Sequence, residues 1–540
     1  MNTQLIGRRG AAFHPGALLC IALAGLTARS YAADAAPTFD VVGKNIAELA
    51  TAQAQRRVTS LQLVDAYLAR IARMDRAGPA LHSVLAINPQ ARAQATALDQ
   101  ERAAGHVRGP LHGIPLLIKD NIETADPMPT TAGSLALAAN RGGRDAPLVA
   151  RLRAAGAVIL GKTNLSEWAN IRSTSSVSGW SAVGGQTRNP FALDRSPCGS
   201  SSGSGAAVAA SLAAAAIGTE TDGSITCPAS MNGLAGIKPT VGLVPRTFVV
   251  PISHSQDTPG PIAHTVADAA LLLGIMAGTD PQDPATREAD AHRPSATAAA
   301  AANIRGVRIG VMPAGNALPG VKALLASTVQ RLVAAGAIVI DVDGPADTEK
   351  LGDMELTVML TELKTDLNSY LATTPPAVIT RTLADVIAFN RAESSREMPL
   401  FEQELFVRAQ ATAGLGDAGY LQALESSRRI AGRDGLDKIF AAHQLQVLIA
   451  YTEGPAMPID PINGDAINGS GPGNLPAIAG YPHLTLPMGL VRGLPVGLSI
   501  IGPAWSDEAV LSVGAACERL LGPLPPPTYA RTTAQLIEQR

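Results

Sequence analysis

Apolar residues recur three and four positions apart in residues 41–104, at Ile46 and Leu49 and again at Leu61, Val64, Leu68 and Ile71. That spacing predicts amphipathic helices, with Thr59-Ser60 as the N-cap of the second. From Leu111 onward short apolar runs alternate with helical stretches. The runs cover 114–118, 157–160, 307–312, 337–342, 447–451, 483–488 and 495–501. The helical stretches include 203–216, 321–334 and 419–431. The alternation predicts an α/β fold: a single large domain with a central mixed β-sheet covered by helices on both faces. Residues 285–303 read as a surface connection. The helices between about 315 and 444 read as cover for the sheet, with the alternative that some of them wall a substrate cleft.

Composition narrows the class. Of 540 residues, 46% are apolar, 16% charged and 3% aromatic, which describes an ordered globular interior rich in Ala and Leu. The formal net charge of −2 offers no basic field for nucleic acid and no polybasic patch for anionic lipid. The expected partner is therefore a small or non-polyanionic substrate.

The first 32 residues differ from the rest. Arg8 and Arg9 precede an apolar run over 17–26, and Ser30 and Ala32 have the spacing of a signal-peptidase site. This predicts a signal peptide over 1–32, with a general-secretion route preferred to a twin-arginine one, and a mature domain over 33–540. The run is too short to span a bilayer, so the expectation is an exported, periplasmic or secreted monomer free of the membrane. Removing the segment takes away Cys20 and leaves Cys198, Cys227 and Cys517, so at least one thiol stays free. Cys198 and Cys227 read first as small buried thiols filling space, with a disulfide between them as the alternative.

Two Ser/Gly-rich stretches carry the candidate chemistry. In Thr221-Asp222-Gly223-Ser224 the glycine lets the backbone turn sharply before the serine and present consecutive N–H groups to a carbonyl oxygen. In Cys198-Gly199-Ser200-Ser201-Ser202 the serines stand at the start of a small-residue helix, which Ser201 or Ser202 is suited to cap. Upstream, Ile114-Pro115-Leu116-Leu117-Ile118 leads into Lys119 as a buried strand would. Desolvation there would lower the lysine pKa from about 10.4, as a general base requires.

With 161–168, 185–190, 236–244, 257–261 and the late Gly480-Tyr481-Pro482 and 486–497 segments, these stretches resemble the amidase signature family of hydrolases over most of 40–505. Within it, Thr-Asp-Gly-Ser followed by Ile-Thr-Cys-Pro, and Trp505-Ser506-Asp507, look most like the exported bacterial peptide amidases. The resemblance implies a Ser-Ser-Lys apparatus. Ser224 would be the nucleophile, Lys119 the base, and Ser200, following a cis peptide bond, the proton relay between them. Thr221, Asp222 and Gly223 would form the oxyanion loop. It further implies release of ammonia from the C-terminal amide of a short peptide, without cofactor or metal. The rival activity is a broad aliphatic or aryl amidase, and export speaks against the glutaminase-type component of a transfer-RNA amidotransferase.

Two departures stand out. Asp222 replaces a common glycine and sets a carboxylate beside the oxyanion loop. Thr226 replaces a common arginine, which disfavours substrates held by a carboxylate. A third motif misleads: 156–163 has the letters of a phosphate-binding loop, but its middle residues are apolar strand formers. The nine histidines show no metal-ligand spacing.

Overall fold

In the computed structural model, which describes residues 39–538 apart from 296, 298, 300, 301 and 468, the apolar runs assemble into one mixed sheet. The expected signal segment, 1–32, lies outside the described residues. In chain order the strands are β1 (Val84–Ile87), β2 (Pro115–Lys119), β3 (Val158–Thr163), β4 (Trp180–Ser181), β5 (Gly185–Gln186), β6 (Ala215–Glu220), β7 (Ala235–Lys238), β8 (Thr258–Ala263), β9 (Arg308–Val311), β10 (Ile338–Asp341), β11 (Val447–Tyr451), β12 (His483–Val491) and β13 (Leu494–Ile501). Eleven of them lie in the order β1-β3-β2-β6-β8-β7-β12-β13-β11-β9-β10, and β4 pairs with β5 apart from the sheet.

Two groups of parallel strands, β3-β2-β6 and β11-β9-β10, flank an antiparallel centre. Parallel strands must be covered on both faces, so they read as unbroken apolar runs rather than alternating ones. Leu116, Leu117 and Ile118 of β2 are accordingly fully buried. At the centre, β12 and β13 form a hairpin closed by Arg492-Gly493, whose φ values of 50° and 89° match the right-handed twist of the strands. Helices flank the sheet in one large domain. Among the described residues no helix is long and apolar enough to cross a membrane.

Three expectations need correction. The small-residue stretch 203–216 is not one helix: the helix Ser202–Ala209 stops where Ser211 takes φ 54°, and the same kind of residues then enter β6. Alanine suits both states, and pairing of Ala215 with Leu116 of β2 decides for strand. The stretch 41–104 holds the helices Ile46–Ala54, Ser60–Arg70 and Ala91–Ala103, but β1 interrupts it, its four residues too few to show a period. The helix expected over 419–431 spans Ala418–Arg428 and continues as a wider π turn to Leu436. The misleading phosphate-loop letters fall in β3, whose Lys162 is buried and donates to Thr130 Oγ1 at 2.7 Å.

The helices Leu351–Ala372, Leu383–Ala392 and Glu404–Gln410 form a second apolar cluster of their own. Leu360, Leu363, Leu367 and Phe406 pack there against Trp168 and Ile171. This cluster stands beside the sheet on the side that matters for the site.

Candidate active site

β2 delivers Lys119 to the interior as its last residue, and the side chain is fully buried. Its Nζ donates to Ser200 Oγ at 2.8 Å, to Thr219 Oγ1 at 2.8 Å and to the Thr219 carbonyl at 3.2 Å. All three partners are uncharged. Burial therefore dominates and pulls the lysine pKa down to about 7, while the more distant charges of Asp257 and Glu220 oppose the fall. Asn121 Nδ2 donates to Thr219 Oγ1 at 3.0 Å and fixes that hydroxyl.

Ser200 follows a cis Gly199–Ser200 peptide and is fully buried. Neither neighbouring serine caps the helix by its side chain, contrary to expectation. Ser201 Oγ instead donates to the Thr219 carbonyl at 3.1 Å and accepts from the Thr219 N–H at 3.2 Å, tying this turn to β6. Gly203 has to be glycine, because a Cβ there would lie 2.4 Å from the Ser83 carbonyl oxygen.

β6 ends at Glu220, and the next four residues form the second loop. Glu220 Oε2 accepts from the N–H groups of Ile225 and Thr226 at 2.7 and 2.9 Å, capping the short helix Thr226–Met231. Gly223 takes φ 75°, the left-handed turn that glycine permits without strain. Among the described residues no protein acceptor takes the backbone N–H of Thr221, Asp222, Gly223 or Ser224. Four consecutive donors are thus left at the wall of a cavity. Ser224 is 7% exposed to that cavity, and its carbonyl accepts from the Ser201 N–H at 3.1 Å, which links the two serine loops. No side-chain hydrogen bond joins Ser200 to Ser224 among the described residues.

Asp222 opens into the cavity yet has protein around it. That setting pushes its carboxyl up to about 7, with the Glu220 charge adding to the rise. A carboxylate beside the free amides would repel a developing oxyanion, and the rise disfavours that charged form. Thr219, Glu220 and Asp257 escaped sequence reasoning as site residues. Asp257 accepts from Thr221 Oγ1 at 2.5 Å and from the N–H groups of Ile252 and Ser253 at 2.8 and 2.9 Å. Its only signal in the sequence was its place in the 257–261 segment.

Cys198 and Cys227 form a disulfide, with Cα atoms 5.9 Å apart, where buried free thiols were the first expectation. Their separation of 29 residues hides the contact, which arises because the helices after the two loops bring both loop ends together. Among the described residues Cys517 is the free thiol, buried and pushed up to about 12.

The cavity measures about 660 Å³. Besides both loops, it is lined by Asn170, Ile171, Ser173 and Ser178, by Leu356, Met359 and Leu405, and by Glu453, Ser470 and His483. Helices of the 315–444 region thus do wall the cleft. A second cavity of about 380 Å³, lined by Asn121, Thr219 and Asp257, shares Ala169, Thr221 and Ile252 with the first.

The family model described as Amidase matches residues 62–511. The peptide amidase of Stenotrophomonas maltophilia has a solved structure that is 48% identical, with 90% of this chain and 98% of that one covered, at a TM-score of 0.85. A structure of the peptide amidase PAM with the competitive inhibitor chymostatin is 49% identical over 91% and 100% of the two chains, at a TM-score of 0.86. Among curated relatives, a glutamyl-tRNA(Gln) amidotransferase chain of Mycobacterium tuberculosis is 37% identical over 90% of this chain and 99% of that one.

The bridge gives the first test. Replacing both Cys198 and Cys227 by Ser is expected to lower folding stability by about 2–4 kcal/mol, seen as a fall in the thermal midpoint. An unchanged midpoint would show that the loops hold together without it.

Proposed function

The chain belongs to the amidase family of hydrolases acting on amide C–N bonds, and on that premise we propose that it removes the C-terminal amide of short peptides. The observation that carries the reading is the buried Lys119 ammonium bonded to Ser200, beside a serine loop with four free amides. In this reading neutral Lys119 draws a proton through Ser200 as Ser224 Oγ attacks the carbonyl carbon. The amides of Thr221 to Ser224 receive the oxyanion. The C–N bond breaks as the relay returns the proton to the leaving nitrogen, so ammonia departs and an acyl-enzyme forms on Ser224. Water, deprotonated by the same relay, then releases the free acid.

Two features favour a neutral peptide amide, the first over a simple amide and the second over an acidic substrate. The cavity is large enough for several substrate atoms beyond the amide, falling within the range of pockets that enclose a small ligand. Thr226 is buried and bonded to Glu220, so no cation stands two residues after Ser224 to fix a substrate carboxylate. Export is part of the proposal, and the disulfide supports it, since such bridges persist in oxidising compartments.

A panel of amidated peptides, free-acid peptides and simple aliphatic and aryl amides, read by ammonia release, tests the assignment. Amidated di- and tripeptides are expected to give the highest kcat/KM, and better turnover of simple amides would move the assignment to a broad amidase. Ser224→Ala should abolish release while the protein stays folded.

The base makes a separate prediction. Because Lys119 must lose its proton to act and its pKa lies at about 7, kcat/KM should rise with pH through that value rather than near 10. Lys119→Ala should cost about 10²–10⁴-fold. A pH-independent rate between 5.5 and 8.5, or a loss under tenfold, would assign the base elsewhere.

A further inference from the structure

The cavity wall carries no Lys or Arg among its lining residues, but three carboxylates: Asp222, Asp465 and Glu453. Asp465 is occupied, accepting from the Ser178 N–H at 3.0 Å and 3.2 Å. Glu453 is only half occupied: Ser470 donates to its carboxyl, while its Oε2 is buried without a partner. His483, 1% exposed, lines the same cavity, and its Nδ1 is also unpartnered. Its Nε2 is 2.7 Å from Ser499 Oγ, and that hydroxyl spends its own hydrogen on Thr452 Oγ1 at 2.9 Å. Nε2 must then be the donor, so Nδ1 presents a lone pair. Burial and the Lys238 charge pull this histidine down to about 3, which keeps it neutral.

Two buried acceptors without donors are costly to a protein that gains nothing from them. Both residues line the substrate cavity, and neither atom receives a donor from the protein. A neutral side chain supplies few donors, a carboxylate supplies none, and an ammonium or guanidinium supplies three to five.

We propose that Glu453, Asp222 and His483 Nδ1 form a subsite for a cationic side chain of the substrate, so that the enzyme prefers amidated peptides bearing a basic side chain. This subsite rests on the peptide-amide reading and narrows it.

The acids behave as an empty cation site would. Burial pushes Glu453 up to about 8, with the charges of Asp222 and Glu220 adding to the rise. Glu355, next to Asp222, is raised in the same way, and Lys238 is the neighbouring cation that pulls Asp222 back. Without a cation the wall takes up protons instead. A bound cation must displace them, so its advantage grows as pH rises through these values.

The test compares N-acetylated dipeptide amides carrying Arg or its neutral isostere citrulline, at the amidated residue and at the one before it, so that no α-ammonium competes for the subsite. Ammonia release should give a kcat/KM ratio of about tenfold or more in favour of Arg at one of the two positions. That ratio should climb between pH 6 and 8.5, where the Lys119 titration cancels because both substrates share it, and should fall toward one in Glu453→Gln. Equal rates for Arg and citrulline at both positions overturn the subsite while leaving the peptide-amide reading intact. A ratio untouched by Glu453→Gln overturns the role of that wall. If no amidated peptide turns over, the peptide-amide reading fails and the subsite with it.

Discussion

The arrangement of this site depends on burying an amine among partners that do not neutralise it. Lys119 has two hydroxyls and a carbonyl within reach, which satisfy its hydrogen bonds but supply no countercharge. Moving a lysine from its ordinary value to about 7 disfavours the charged form by roughly 5 kcal/mol. The fold tolerates this because β2 is covered on both faces, so the lysine has no route to water except through the site itself. A carboxylate in direct contact would have kept the amine protonated. The acids that are near, Asp257 and Glu220, are instead occupied with backbone N–H groups of the surrounding loops.

Those same acids hold the loop geometry. Glu220 caps the helix after Ser224, and Asp257 holds the Thr221 hydroxyl, so both ends of the four-amide loop are pinned by buried carboxylates. The disulfide ties that loop to the one bearing Ser200, and the Ser201 N–H bonds to the Ser224 carbonyl between them. Preorganised donors help a reaction because they need not reorient as charge develops. Here the pinning is done by covalent and charge-assisted contacts from outside the loop, which leaves the N–H groups of 221–224 free.

Much of this was legible in the sequence, and the rest was hidden for definite reasons. β2, β3, β11, β12 and β13 were readable because strands buried on both faces must be apolar throughout. β7 and β8 were not, since Ala235-Gly236-Ile237-Lys238 and Thr258-Pro259-Gly260-Pro261 carry Gly and Pro, which mark turns elsewhere. The start of β6, Ala215 and Ala216, was read as helix because alanine does not discriminate. Lys119, Ser200 and the 221–224 loop were legible as a set through their motifs. Thr219 and Glu220 were not, because their importance lies in contacts across the sheet that no local pattern encodes. The disulfide was hidden for the same reason.

The division of labour among elements explains how such a site accommodates a particular substrate. Lys119, Ser200 and the free amides all stand on β2, β6 and the turns next to them, inside the main core. The walls come from elsewhere: Leu356, Met359 and Leu405 from helices with their own apolar cluster, and Glu453 and His483 from beyond β11 and the start of β12. Asp222 is the exception, belonging to both the amide loop and the wall. Its charge state couples what the cavity holds to the field at the loop, and Lys238, Glu220 and Glu355 around it set that state. A group seated against Asp222 therefore acts on binding and on the loop's field at once, whereas one seated against Leu405 acts on binding alone.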